Sequence, residues 1–146
     1  MKLIAIRCLL SLAALMVAAM PVRAQSLRDE AMAAATRALA AMQSYQKNGG
    51  WVSAYSLGQG IFWGENLPVT DDFITVQYPA TPATAGIFLR AGTVLKEERW
   101  IEVARQAHAA LRQLQSPEGG FPHEGPPAKG HAGHGSFDDG VTTGAL

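Results

Sequence analysis

The chain has 146 residues, 48% hydrophobic and 16% charged, with 12 basic and 12 acidic side chains and one cysteine. That length bounds it to one domain, and the composition excludes both a disordered chain and a disulfide scaffold. Balanced charge without a clustered basic face excludes the electrostatic footprint of a nucleic-acid binder.

The first 24 residues read as an export signal. Lys2 and Arg7 precede an apolar run from Cys8 to Met20, and Val22 and Ala24 place small residues before Gln25. The 13-residue run is short for a bilayer span. Cleavage would leave nine of the 12 bases, all 12 acids and no cysteine. An exported chain of that kind is stabilised by packing or a bound ion, not by disulfides. With no second apolar span, no membrane association is expected after cleavage.

Three helices follow. Ser26 is a fit N-cap, Asp29 and Glu30 suit the first turn, and a stripe of Leu27, Met32, Ala35, Leu39, Met42 and Tyr45 predicts a helix to about Gln46. Residues 51–81 carry no helical pattern and read as a long loop rich in aromatics. Proline in the first turn and the stripe Ala83, Ile87, Phe88, Ala91, Leu95 predict a second helix over about 82–95. The third, about 99–115, carries Trp100, Val103, Ala104, Ala107, Leu111 and Leu114. The short turn between these two predicts antiparallel packing. Residues 121–140 read as loop, and 141–146 as the opening turn of a further helix, so the expectation is a partial chain.

The chain also repeats itself. Gln46-Lys47-Asn48-Gly49-Gly50-Trp51 matches Gln115-Ser116-Pro117-Glu118-Gly119-Gly120-Phe121 with one gap, and a loop and a helix start follow each. Such units need stacked neighbours to bury their faces.

These turns resemble those of (α/α) toroid proteins. Within them the chain is similar to the exported pectic-acid (pectate) lyase family. The likeness is carried by Tyr45 to Trp51, Phe88 to Gly92, Glu98-Arg99-Trp100, Gln115 to Pro122, and Ser136-Phe137-Asp138-Asp139-Gly140-Val141-Thr142-Thr143. It implies an all-α fold for residues 25–146, an (α/α) toroid of helical hairpins with long loops on one face, of which only the front part is present. It also implies an acidic polysaccharide as partner, Ca²⁺ as cofactor and β-elimination as chemistry. Where lyases of the family carry an Asp-rich stretch, this chain reads Val76-Gln77-Tyr78-Pro79-Ala80-Thr81-Pro82, without acids.

Each candidate residue has two readings. Asp138 and Asp139 stand ahead of a helix start, where carboxylates can hold Ca²⁺ or cap the helix. In a lyase the ion would withdraw electron density from the substrate uronate and acidify the neighbouring proton. Asp71-Asp72 reads as a solvated turn. His123, His131 and His134 lie among glycines and could ligate zinc or copper, or His134 could touch sugar hydroxyls. Trp51 and Phe121 either stack on sugar rings or plug the space between hairpins. Tyr55, Trp63 and Tyr78, in the long loop, suit sugar binding better. His108, Arg90 and Arg112 ride on helix faces. No nucleophile elbow, Walker loop or dinucleotide fingerprint is present. Two other functions stay open: a non-catalytic glycan-binding or scaffold protein, and an exported metal-binding protein using the His/Gly-rich loop.

Overall fold

The computed structural model describes residues 25–56, 62–64, 68–126, 135–136, 141 and 145, with Trp63 described by its backbone alone. The chain divides into two compact units, Met1–Ala40 and Ala41–Leu146. The described part of the first unit is helical, and the helix α1 as a whole covers residues 25–44. Leu27 and Met32 of its expected stripe are exposed.

In the second unit, α2 (Thr81–Leu95) and α3 (Glu98–Leu114) form an antiparallel hairpin. Lys96 closes α2 in the left-handed conformation, and the Glu97 N–H donates to the Gly92 carbonyl. A side chain at Gly92 would lie 2.5 Å from Ile101, so the bare glycine lets the start of α3 come close. On α3, Trp100, Val103, Ala104, Ala107, Leu111 and Leu114 are buried as their spacing predicts, and Ala110 joins them. The α2 stripe comes out rotated. Its buried residues are Thr81, Thr84, Phe88 and Gly92, while Ile87, Leu89 and Val94 are exposed. Phe88 sets this face by lying between Trp51, stacked at 5.4 Å, and Trp100, at 5.8 Å.

The expected all-α toroid is overturned. The described residues hold five two-residue strands in two small antiparallel sheets, beside a single complete helical hairpin. β1 (Ala54–Tyr55), β2 (Phe62–Trp63) and β3 (Pro68–Val69) form one sheet in that order. β4 (Ile74–Thr75) pairs with β5 (Glu124–Gly125), Ile74 opposite Gly125 and Thr75 opposite Glu124. The physical reason is backbone pairing. A loop that covers a core must satisfy its own N–H and C=O groups. Ile74, Thr75 and Val76, all β-branched and all buried, do so as extended chain. Ile74 and Val76 then complete a core cluster with Ala110, Leu111, Leu114, Phe121 and Val141.

The two repeated turns share one construction. In the first, Lys47 and Gly50 exchange both backbone hydrogen bonds, at 2.9 Å each, around Asn48 (φ 48°) and Gly49 (φ 86°). Two positive φ values in a two-residue loop make a type I′ turn, for which Asn-Gly is the preferred pair. In the second, Gly119 donates to the Ser116 carbonyl, Ser116 donates to that of Gly120, and Gly119 has φ 92°. That is a type I turn closed by a glycine bulge, which takes one more residue. The gap between the copies is this change of turn type. In both, the leading glutamine side chain donates to the first glycine's carbonyl, Gln46 to Gly49 and Gln115 to Gly119, at 3.0 Å each.

Thr81 ties the first turn to α2. Its hydroxyl accepts from the Trp51 N–H and donates to the Trp51 carbonyl, both at 2.9 Å, with no solvent exposure. Thr81→Val keeps the shape and orphans both backbone groups, so a loss of about 1–3 kcal/mol is expected in urea denaturation. Thr81→Ser restores the hydroxyl and should recover most of that. Equal stability of the valine variant would refute the clamp.

Candidate functional site

The aromatic residues divide into buried and open. Trp51 is 2% exposed, packs on Phe88 and donates its indole N–H to the Met42 carbonyl at 2.9 Å. Phe121 is buried in the core cluster. Both plug the interior, one of the two roles their position allowed. Tyr55 is half-buried, and its hydroxyl accepts from the Val52 N–H at 3.0 Å and donates to the Tyr45 carbonyl at 3.2 Å. Its ring leans on Tyr45 at 4.7 Å and meets Phe62 edge-on at 5.8 Å. Tyr78 is 65% exposed. The Trp63 side chain, His134, Asp138 and Asp139 lie outside the described residues.

Tyr55 and Tyr78 border one cleft of about 290 Å³. Trp51, Val52 and Ala80 give it an apolar floor, and Ser53, Gln77 and Thr84 add uncharged polar groups. The chain's own connections hold it in place. Trp51 is clamped by Thr81 at the start of α2, and the Trp51 carbonyl also accepts from the Thr75 N–H at 2.8 Å. Val76 and Gln77 both donate to the His123 carbonyl, at 2.7 and 3.2 Å, so the segment after the second turn supports the edge that carries Tyr78.

A second polar group, not foreseen in this combination, lies on the β4–β5 ladder. The His123 Nε2 is 3.1 Å from the Ser136 hydroxyl, and the Glu124 carboxylate lies directly against the bare face of Gly64. Ser53 and Thr75 share a hydroxyl hydrogen bond at 3.3 Å. His123 and Ser136 meet because Phe121 pairs with Ser136, and Ser53 and Thr75 because the Thr75 N–H donates to the Trp51 carbonyl, registers that sequence spacing does not reveal. His123 was a candidate metal ligand. Among the described residues, no group of three or more His, Cys, Asp or Glu side chains could hold a metal ion. Asp71 accepts on its carbonyl from Asn48, and the Asp72 carboxylate accepts from the Thr70 hydroxyl, as expected of a turn.

A larger groove of about 660 Å³ runs between α2 and α3, past Pro82, Leu89, Ile101 and Leu111. Arg105, His108 and Arg112 line its α3 edge, and among the described residues no Phe, Tyr or Trp lines it. Of the described residues expected to touch sugar, Trp51, Tyr55, Tyr78 and Phe121, none lines it.

Burial raises the Tyr55 hydroxyl above its ordinary value of 10.0, against the lowering effect of the Val52 N–H, with Tyr45 adding to the rise. Below the ordinary value the phenol is protonated in both folded and unfolded chains. Above it the unfolded chain ionises first, so stability falls as pH rises until the folded group ionises too. Tyr55→Phe should flatten this alkaline decline in pH-dependent urea melts. It should also cost about 1–2 kcal/mol near neutrality by removing two hydrogen bonds. An unchanged alkaline slope would show that Tyr55 does not carry it.

No protein-family model matches the chain, and neither a curated protein nor a solved structure matches it significantly.

Proposed function

We propose that this is an exported glycan-recognising protein that seats a sugar ring in the cleft bordered by Tyr55 and Tyr78. The observation that carries the reading is Tyr78, a large aromatic face left 65% exposed at the rim of a cleft whose described lining is uncharged. An aromatic face takes the apolar C–H side of a pyranose, while hydroxyls and amides around it meet the ring's hydroxyls. Tyr55 is held by hydrogen bonds at both its neighbours and so presents a preformed wall. Export is supported by the leader-like first 24 residues. No helix among the described residues is long and apolar enough to cross a membrane.

The likeness to pectate lyases supports an acidic polysaccharide as the source of that sugar. It also supports cleavage by β-elimination, with Asp138 and Asp139 as the carboxylates that would hold Ca²⁺. The cleft geometry bears on recognition, and recognition is the function it supports best.

Tyr78→Ala should weaken binding of the full chain to pectic oligosaccharides by about three- to tenfold in calorimetry, the range of a lost aromatic contact. Tyr78→Phe should bind like the wild type, since stacking needs the ring alone. An exposed residue can be removed with little change in thermal stability. Undiminished binding by the alanine variant would remove Tyr78 from the site. Calcium-dependent release of unsaturated products from polygalacturonate, abolished by chelator, would add the lyase activity to the binding.

A further inference from the structure

The cleft's lining is specific about charge. Met42, Val52, Pro79 and Ala80 are apolar, Ser53, Gln77 and Thr84 are neutral polar, and the rest are the aromatics Trp51, Tyr55 and Tyr78. Among the described residues no lysine, arginine, histidine, aspartate or glutamate lines it. Among the described residues of this unit, Arg105 and Arg112 line the α2–α3 groove, and Lys47 stands in the first turn.

A sugar ring that enters such a cleft gives up water on several sides. For a hydroxyl the loss is made good by Ser, Gln and Thr groups. For a uronate carboxylate it is not, because an anion taken out of water needs a cation or several converging donors. A protonated amino sugar meets the same obstacle with the opposite sign. At about 290 Å³ the cleft has room for a sugar ring.

We infer that the cleft selects an uncharged sugar unit, either a neutral hexose or pentose or a uronate whose carboxyl is blocked as its methyl ester. This rests on the glycan reading above and narrows its substrate class. On a pectic polymer this cleft would then take up an esterified unit in preference to a free-acid one.

The test uses the full chain with oligogalacturonides of one length, fully methyl-esterified or saponified, and with neutral hexose and pentose oligosaccharides, in calorimetry at low and raised salt. The expected result is binding of the esterified oligomer with affinity insensitive to salt, and binding of the saponified oligomer at least tenfold weaker. Gln77→Lys places an ammonium at the cleft's rim and should narrow or reverse that preference. Tighter, strongly salt-dependent binding of the saponified oligomer to the wild type would overturn the inference and leave the glycan reading intact. A preference unmoved by Gln77→Lys would overturn its assignment to this cleft. Failure to bind the esterified, saponified and neutral oligosaccharides alike would overturn the glycan reading together with the inference.

Discussion

Gly49 has no side chain because there is no room for one. A Cβ there would stand 2.8 Å from the Gln106 carbonyl and 2.9 Å from the Ala110 methyl, so the first turn rests directly on α3. Gly50 is as confined, by Ile74 on one side and Thr81 on the other. This contact fixes where the chain leaves α1, and Trp51 follows at once into the space between the turn and α2. From there the order of dependence is clear. Thr81 holds the Trp51 backbone, Phe88 stacks on its ring, and the cleft forms above the same residues. Gln46 strengthens the seat by donating to both the Gly49 carbonyl and, at 3.3 Å, the Val103 carbonyl of α3.

The second turn serves a different neighbour with the same parts. A Cβ at Gly120 would lie 2.7 Å from the Gly135 Cα, so here two glycine backbones pass each other. Phe121 then accepts on its carbonyl from the Ser136 N–H, as Trp51 accepts from the Thr75 N–H. After each Gly-Gly-aromatic turn, a later loop segment is thus drawn back to the aromatic residue's own backbone. The β4–β5 ladder joins the two copies, because the segment returning to Trp51 pairs with the one leaving Phe121. The repeat is therefore a pattern of loop closure as much as of helices.

Local signals were legible in the sequence. The Gln and Gly-Gly of both turns, the bounds of α2 and α3 and the whole apolar face of α3 follow from caps, glycines and spacing. The buried face of α2 was not, because it is chosen by tertiary contacts. Ile87 is the larger apolar residue, yet Thr81 and Gly92 go inside, one for its hydroxyl and one for having no side chain. The strands were missed for a related reason. At two residues each they leave no periodicity, and only the β-branched run at Ile74 to Val76 hinted at extended chain. In the site, Tyr55 and Tyr78 were legible as loop aromatics, whereas their meeting in one cleft depends on the Thr81 clamp and on pairing across the chain to His123.

The placement of charge ties fold to function. On α3, Arg105 is bonded to Glu98 at 2.7 Å and to Glu102 at 3.1 Å, which holds its guanidinium above the ordinary range, and Arg99 lies over the Trp100 ring at 4.2 Å. These exposed pairs contribute little to stability. They do keep Arg99 and Arg105 engaged along α3, while the described residues that line the cleft carry no charge. A charge brought into that cleft would meet no charged side chain among the described lining residues. In the proposed selection of neutral ligands, shape and hydroxyl orientation are what remain to discriminate. Those are the properties in which sugars differ from one another, and in the proposed recognition Tyr55, fixed by its two hydrogen bonds, and the open face of Tyr78 would read them.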